Sequence, residues 1–206
     1  MSDLDLRADL KLALDVADVV DAFTLPHFVD RDFTVDWKTN QTEVTEIDRQ
    51  AETLIVNSLV AQRPDHGTFG EEHGLGGNET SLWRWVIDPI DGTANFMRGV
   101  PVWGALIALA RDGKPVLSVV SAPALGRRWW AAPGVGAHTR DVDGSERSIR
   151  VSQVSALEHA SLSYNNLQLW DRAGYLIELV ELSRKVWRTR AYGDFFSYML
   201  LAEGSV

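Results

Sequence analysis

The chain contains no cysteine, which removes disulfide bridges, zinc–thiolate and iron–sulfur sites and a thiol nucleophile together. It lacks the run of about 18 apolar residues that reads as a membrane span; its longest uncharged stretches, Gly99 to Ala110 and Pro115 to Gly126, fall well short. The N-terminus alternates charges and has no basic-then-apolar signal-peptide shape. A cytoplasmic protein without a membrane partner is the expectation. Basic residues are few, 20 Lys plus Arg against 29 Asp plus Glu, for a net charge of −9. That balance argues against a nonspecific nucleic-acid binder, although an acidic chain still reaches phosphate through metal ions. Gly and Pro are not abundant, so disorder and collagen are excluded. What remains is ordinary globular material, 206 residues with 45% hydrophobic, enough for one large domain or one and a half smaller ones. The eight Trp include Trp129 and Trp130 behind Arg127 and Arg128; such clusters can stack on bases, but the overall charge favours strand residues with a solvated basic edge.

Leu6, Leu10, Ala13, Leu14, Ala17 and Val20 recur at three and four, predicting a helix from near Ser2 to about Leu25, with Pro26 helping to end it. Phe33, Val35 and Trp37 alternate with polar residues, as in a short strand. A second helix opens at Thr45, carries Ile47, Ala51, Leu54, Ile55 and Leu59 on one face and stops before Pro64. A loop follows with Gly70-Glu71-Glu72-His73-Gly74. Trp83 to Ile87 reads as a strand delivering Asp88, Val102 to Ala110 and Pro115 to Ser121 as a hairpin over Asp112-Gly113, and Trp129 to Ala132 and Ser148 to Val151 as further strands. Beyond Val154 strands and helices alternate: strand 160–164, helix 170–182, strand 185–188, helix 195–203. The expected organisation is an α+β lobe over residues 1–153 with the metal and phosphate site, and the start of an α/β lobe over 154–206.

The chemistry concentrates in Asp88-Pro89-Ile90-Asp91-Gly92-Thr93. Two carboxylates three apart at the mouth of a strand, with Pro89 stiffening a turn between them, suit Mg²⁺, which takes one or two carboxylates, water and substrate phosphate. Gly92 lets a backbone approach closely, and the N–H groups of Gly92 and Thr93 open a helix where phosphate binds. An Asp-Pro turn with an Asp-capped helix explains the same string equally well. Two further acidic sites bear on the choice. Gly70-Glu71-Glu72 sets carboxylates on a Gly-flanked loop, while Thr45-x-x-Asp48 reads first as a capping box.

Together, Lys38, Thr45-x-x-Asp48, Gly70-Glu71-Glu72 and Asp88-Pro-Ile-Asp-Gly-Thr93 in this order resemble the inositol monophosphatase family of Mg²⁺-dependent, lithium-sensitive phosphomonoesterases, along essentially the whole chain. Arg190-Ala-Tyr-Gly193-Asp194-Phe is similar to a segment of the family's bacterial histidinol-phosphate phosphatase branch. The resemblance implies a layered α-β-α-β-α sandwich and a homodimer. It implies that Glu71, Asp88, Asp91 and the Ile90 carbonyl hold Mg²⁺, two or three ions per site. Thr93, backed by Asp48, would position and deprotonate water; the amides of Gly92 and Thr93 would hold phosphate; Lys38 would lie near the site as a compensating charge. Two-metal catalysis stabilises both the entering and the leaving oxygen of an in-line displacement.

A further metal carboxylate, in a W-D-x-A-A motif, lies downstream of Gly193-Asp194 in the family, and the chain stops at Val206 before it. Trp170-Asp171-Arg172-Ala173 does not replace it, since it reads as an amphipathic helix with Asp171 in its first turn. A second lobe incomplete at its C-terminus, and doubtful turnover by these 206 residues alone, are therefore expected. The substrate is a small phosphate ester, with histidinol phosphate foremost: Asp194 would meet its amine, although capping of the helix ahead of Phe195, Phe196 and Met199 explains it equally well; Arg190 fits the branch pattern, and Asn165 and Asn166 read chiefly as a loop and helix cap. A phosphatase for inositol or another small sugar phosphate, and a non-catalytic metal-binding or dimerising fragment, are the alternatives. The five histidines lack metal-ligand spacing; His73, beside Glu71, is the one to watch.

Overall fold

The computed structural model describes residues 3–37 and 43–206, so Lys38 lies outside the described residues. The chain divides into two compact units, Met1–Ser148 and Ile149–Val206. The first unit runs α1 (Asp3–Asp30), β1 (Val35–Trp37), β2 (Glu43–Thr45), α2 (Glu46–Gln62), β3 (Gly67–Gly70), β4 (Gly74–Gly77), β5 (Trp83–Asp91), α3 (Thr93–Arg98), β6 (Gly104–Arg111), β7 (Lys114–Ala122), β8 (Arg127–Ala132), β9 (Gly136–Arg140) and β10 (Glu146–Ser148). Eight strands form one sheet in the order β10-β9-β8-β7-β6-β5-β3-β4. The meander is antiparallel from β5 to β10, and β3 joins it parallel to β5.

The core follows from periodicity. Leu10, Ala13, Val16, Ala17 and Val20 of α1 and Ala51, Ile55 and Leu59 of α2 form the helical side of one apolar cluster. Trp85, Ile87, Ile107, Leu109, Leu117 and Val119 form its sheet side. Spacings of three and four put helical residues on one stripe, and spacings of two put strand residues on one face. The β6–β7 hairpin turns on Asp112 and Gly113, both at positive φ, as the Asp-Gly pair requires.

Helix α1 does not end at Pro26 but continues to Asp30 with the proline inside it. Phe28, in the extra turn, packs against Phe96 and Trp103, part of a second apolar cluster with Ile47 and Ile90; that burial offsets the lost backbone hydrogen bond. β3 and β4 are strands where the sequence suggested only a loop, because their glycines carry no alternating pattern to read. β10 ends at Ser148, and Ile149 to Val151 form no strand.

The second unit pairs β11 (Ser161–Ser163) parallel with β12 (Arg188–Arg190). Between them lie α4 (Leu167–Arg172) and α5 (Leu176–Ser183), and α6 (Asp194–Ala202) follows. The single helix expected over 170–182 is broken at Gly174, which sits at φ +79°, a conformation that stops a helix. Among the described residues no helix is long and apolar enough to cross a membrane.

Candidate active site

The site starts from an irregularity in β5. Asp88 is opposite Leu106 and Asp91 opposite Gly104, so β5 spends three steps where β6 spends two. In a regular strand residues three apart face opposite sides; the extra residue of this bulge turns Asp91 back to the face of Asp88. Pro89 and Ile90, in between, are buried. The strand thus runs through Asp91, and the expected turn at Pro89 is a bulge instead. The parallel neighbour delivers the third carboxylate: β3 ends at Gly70, opposite Ile87, and the Glu71 N–H donates to the Ile87 carbonyl at 3.1 Å.

Glu71, Asp88 and Asp91 act on one another. Burial, the Glu71 and Asp91 charges and a hydrogen bond with Glu71 push the Asp88 carboxyl up to about 9. Its Oδ1 is buried with no hydrogen-bond partner among the described residues. A carboxyl bonded to a carboxylate needs a proton or a cation to offset the shared charge. The hard oxygen donors suit Mg²⁺. Among the described residues no three His, Cys, Asp or Glu stand together closely enough to hold a metal ion as they are placed.

α2 supplies the rest. Thr45 and Asp48 form a reciprocal capping box, with the Thr45 N–H and Oγ1 donating to Asp48 Oδ2 at 2.8 and 2.5 Å. The other carboxylate oxygen, Oδ1, accepts from Thr93 Oγ1 at 3.0 Å, and the same hydroxyl lies 3.1 Å from the Ile90 carbonyl. Asp48 is therefore both the cap partner of Thr45 and the acceptor for Thr93, so the two readings that compete in the sequence alone do not exclude each other. Burial pushes its carboxyl above the ordinary carboxylate range, against hydrogen bonds from Thr45 and Thr93. Gly92, at φ +90°, is the cap of α3; its carbonyl accepts from Asn95 and Phe96, while the N–H groups of Gly92 and Thr93 precede the intrahelical pattern.

Sequence reading missed Glu52. Fully buried on α2, it accepts the Glu72 N–H at Oε2 (2.7 Å) and the His73 N–H at Oε1 (2.9 Å). The available signal was a charged residue on the apolar stripe, four after Asp48. His73 pairs through Nε2 with Thr53 Oγ1 at 3.0 Å.

The remaining candidates belong to the second unit or are otherwise committed. Asp194 opens α6 behind Gly193 as cap and lines a cavity of 580 Å³ in the second unit with Ser163, Asn165, Trp170 and Tyr198. Arg190 is exposed and bonds the Thr189 carbonyl. Asn166 caps α4 through the Leu169 N–H. Arg128 is not a solvated edge residue: it is buried and paired with Asp18 and Asp21, each at 2.6 Å. Arg127 pairs with Asp141 over the Trp129 ring.

A profile of the inositol monophosphatase family matches residues 5–206. The chain is 50% identical to a histidinol-phosphatase of Streptomyces coelicolor, over 98% of this chain and 77% of that protein. It is 50% identical to one of Mycobacterium tuberculosis, over 96% and 76%. Among solved structures, the extragenic suppressor protein suhB of Bartonella henselae superposes with a TM-score of 0.85 at 30% identity, over 96% of this chain and 75% of that one. An IMPase of Thermotoga maritima gives 0.80 at 32%, over 97% and 74%. The expected fold type is the one found.

Proposed function

This chain belongs to the inositol monophosphatase family, a metal-dependent phosphatase family, and on that premise we propose that it hydrolyses histidinol phosphate to histidinol and inorganic phosphate with Mg²⁺. The observation that carries the chemistry is the clustering of Glu71, Asp88 and Asp91 beside the Thr93–Asp48 hydrogen bond. The substrate rests on the name of the two relatives at 50% identity. A homodimer and a cytoplasmic location accompany this reading on the family resemblance, and light scattering tests the former.

Glu71, Asp88, Asp91 and the Ile90 carbonyl are the groups to hold Mg²⁺, two or three ions per site. Bound there, Mg²⁺ supplies a water of lowered pKa and charge for the phosphoryl oxygens. The chain's own proton path runs through Thr93. With its hydrogen given to Asp48 Oδ1 rather than to the Ile90 carbonyl, the hydroxyl has an Oγ1 lone pair to accept a proton from the attacking water. As that proton arrives, the original one passes to Asp48, whose burial makes it the better base. The amides of Gly92 and Thr93 orient the phosphate, with Lys38 as a compensating charge. In the second unit, Asp194, Trp170 and Tyr198 line one cavity; Asp194, with Arg190 four residues before it, is the residue offered for the amine of the substrate.

A phosphate-release panel on histidinol phosphate and inositol monophosphate, with Mg²⁺ and with a chelator, tests the reading. The expected result is chelator-sensitive release with the higher kcat/KM for the histidinol ester, reduced selectively by Asp194→Asn. Preference for the inositol ester overturns the substrate, and release that survives the chelator overturns the metal assignment.

A further inference from the structure

We propose that Glu52 is a positioning residue: it sets the turn Gly70 to His73, and through it directs the Glu71 carboxylate at Asp88. This rests on the reading of Glu71 as a metal ligand.

Glu52 is fully buried, and its two oxygens are spent on consecutive backbone N–H groups, those of Glu72 and His73. The Glu71 N–H is held from the other side by the Ile87 carbonyl. Three successive amides are thereby anchored, the first to the strand that carries Asp88 and the next two to α2. A turn fixed at residues 71, 72 and 73 has little freedom left in the direction of the Glu71 side chain. The His73 ring adds a fourth tether to Thr53, the residue after Glu52.

Gly70 confirms how tightly this is built. A Cβ at that position would stand 1.9 Å from Glu52 Oε1, so the glycine is there because the carboxylate occupies the space of a side chain. Asp48 and Glu52 lie one helical turn apart, on the same face of α2. The first reaches Thr93 after β5 and the second reaches the turn after β3. One helix stripe therefore holds both chain segments of the site in register. Ligand-orienting contacts of this kind typically carry about 10–100-fold in metal affinity when removed.

The test measures Mn²⁺ binding by the loss of the free-ion electron paramagnetic resonance signal in the unaltered protein, Glu52→Gln, Gly70→Ala and, as direct ligand control, Glu71→Gln. Amide exchange at residues 72 and 73 and phosphate release at saturating Mn²⁺ are followed in parallel. Glu52→Gln and Gly70→Ala are expected to weaken Mn²⁺ binding about 10–100-fold and to speed exchange at both amides, with kcat at saturating Mn²⁺ falling less than the affinity. Gly70→Ala keeps the carboxylate and carries the test if Glu52→Gln does not fold. Unchanged Mn²⁺ affinity in both, with affinity lost in Glu71→Gln, overturns the positioning role alone. Unchanged affinity in Glu71→Gln as well overturns the metal reading and the positioning role with it.

Discussion

Asp21 and Asp88 are both carboxylates pushed up by burial, and they differ in what surrounds them. Asp21, on α1, accepts from Arg128 and Ser121, each at 2.6 Å, and these contacts pull its carboxyl back down. Around Asp88 the further influences are mostly other anions, Glu71 and Asp91, which push the same way as burial. At the first position the fold has supplied its own cation, and the result is a cross-link between α1 and the sheet. At the second, like charges are gathered on one face, which is costly for a structural cross-link and useful for a cation-dependent reaction.

The contrast is tested first at Asp88 itself. Asp88→Asn is expected to lower phosphate release about a thousandfold or more, since several kcal/mol of metal-borne stabilisation are lost. Its melting temperature should hold or rise, because one of three crowded anions is gone. At the other region the signs reverse. Arg128→Met leaves Asp21 buried without its guanidinium and should cost roughly 3 to 5 kcal/mol in urea denaturation, while kcat of the folded fraction is retained. Thr93→Val removes the hydroxyl between water and Asp48. It should reduce kcat about a hundredfold with little change in stability, readable as a kcat effect without a matching shift in Mg²⁺ requirement.

The smallest effect concerns His66, where Asp9 and Arg63 act in opposite directions. Burial holds this imidazole below its ordinary value, so between the two values the unfolded chain binds the proton and the folded one does not. Stability should therefore be complete above the ordinary histidine range and decline as pH falls through it. Urea midpoints at pH 5 and 7 check this, and His66→Gln should flatten the difference.

The string from Asp88 to Thr93 was legible because its residue types are chemically demanding and adjacent in sequence. Thr45-x-x-Asp48 was legible as a cap but ambiguous as a site, and one carboxylate meets Thr45 and Thr93 with separate oxygens. Glu52 escaped notice because its partners are backbone amides twenty and more residues away, and no side-chain pattern announces an acceptor for a main chain. The extension of α1 past Pro26 and the break at Gly174 were misjudged for opposite reasons. Aromatic packing of Phe28 overrode a local breaker in the first, whereas in the second the apolar spacing was continuous and the glycine prevailed. Arg128 was placed on the surface by its type, and only the fold brings Asp18 and Asp21 against it from more than a hundred residues away.

The bulge at Pro89 and Ile90 makes the backbone path of this segment as strict as its composition. If the same residues ran in plain alternation, Asp91 would turn to the face opposite Asp88, separating the two aspartates across the thickness of the sheet. Every side chain of the string would still be present, and the two carboxylates would no longer share a face.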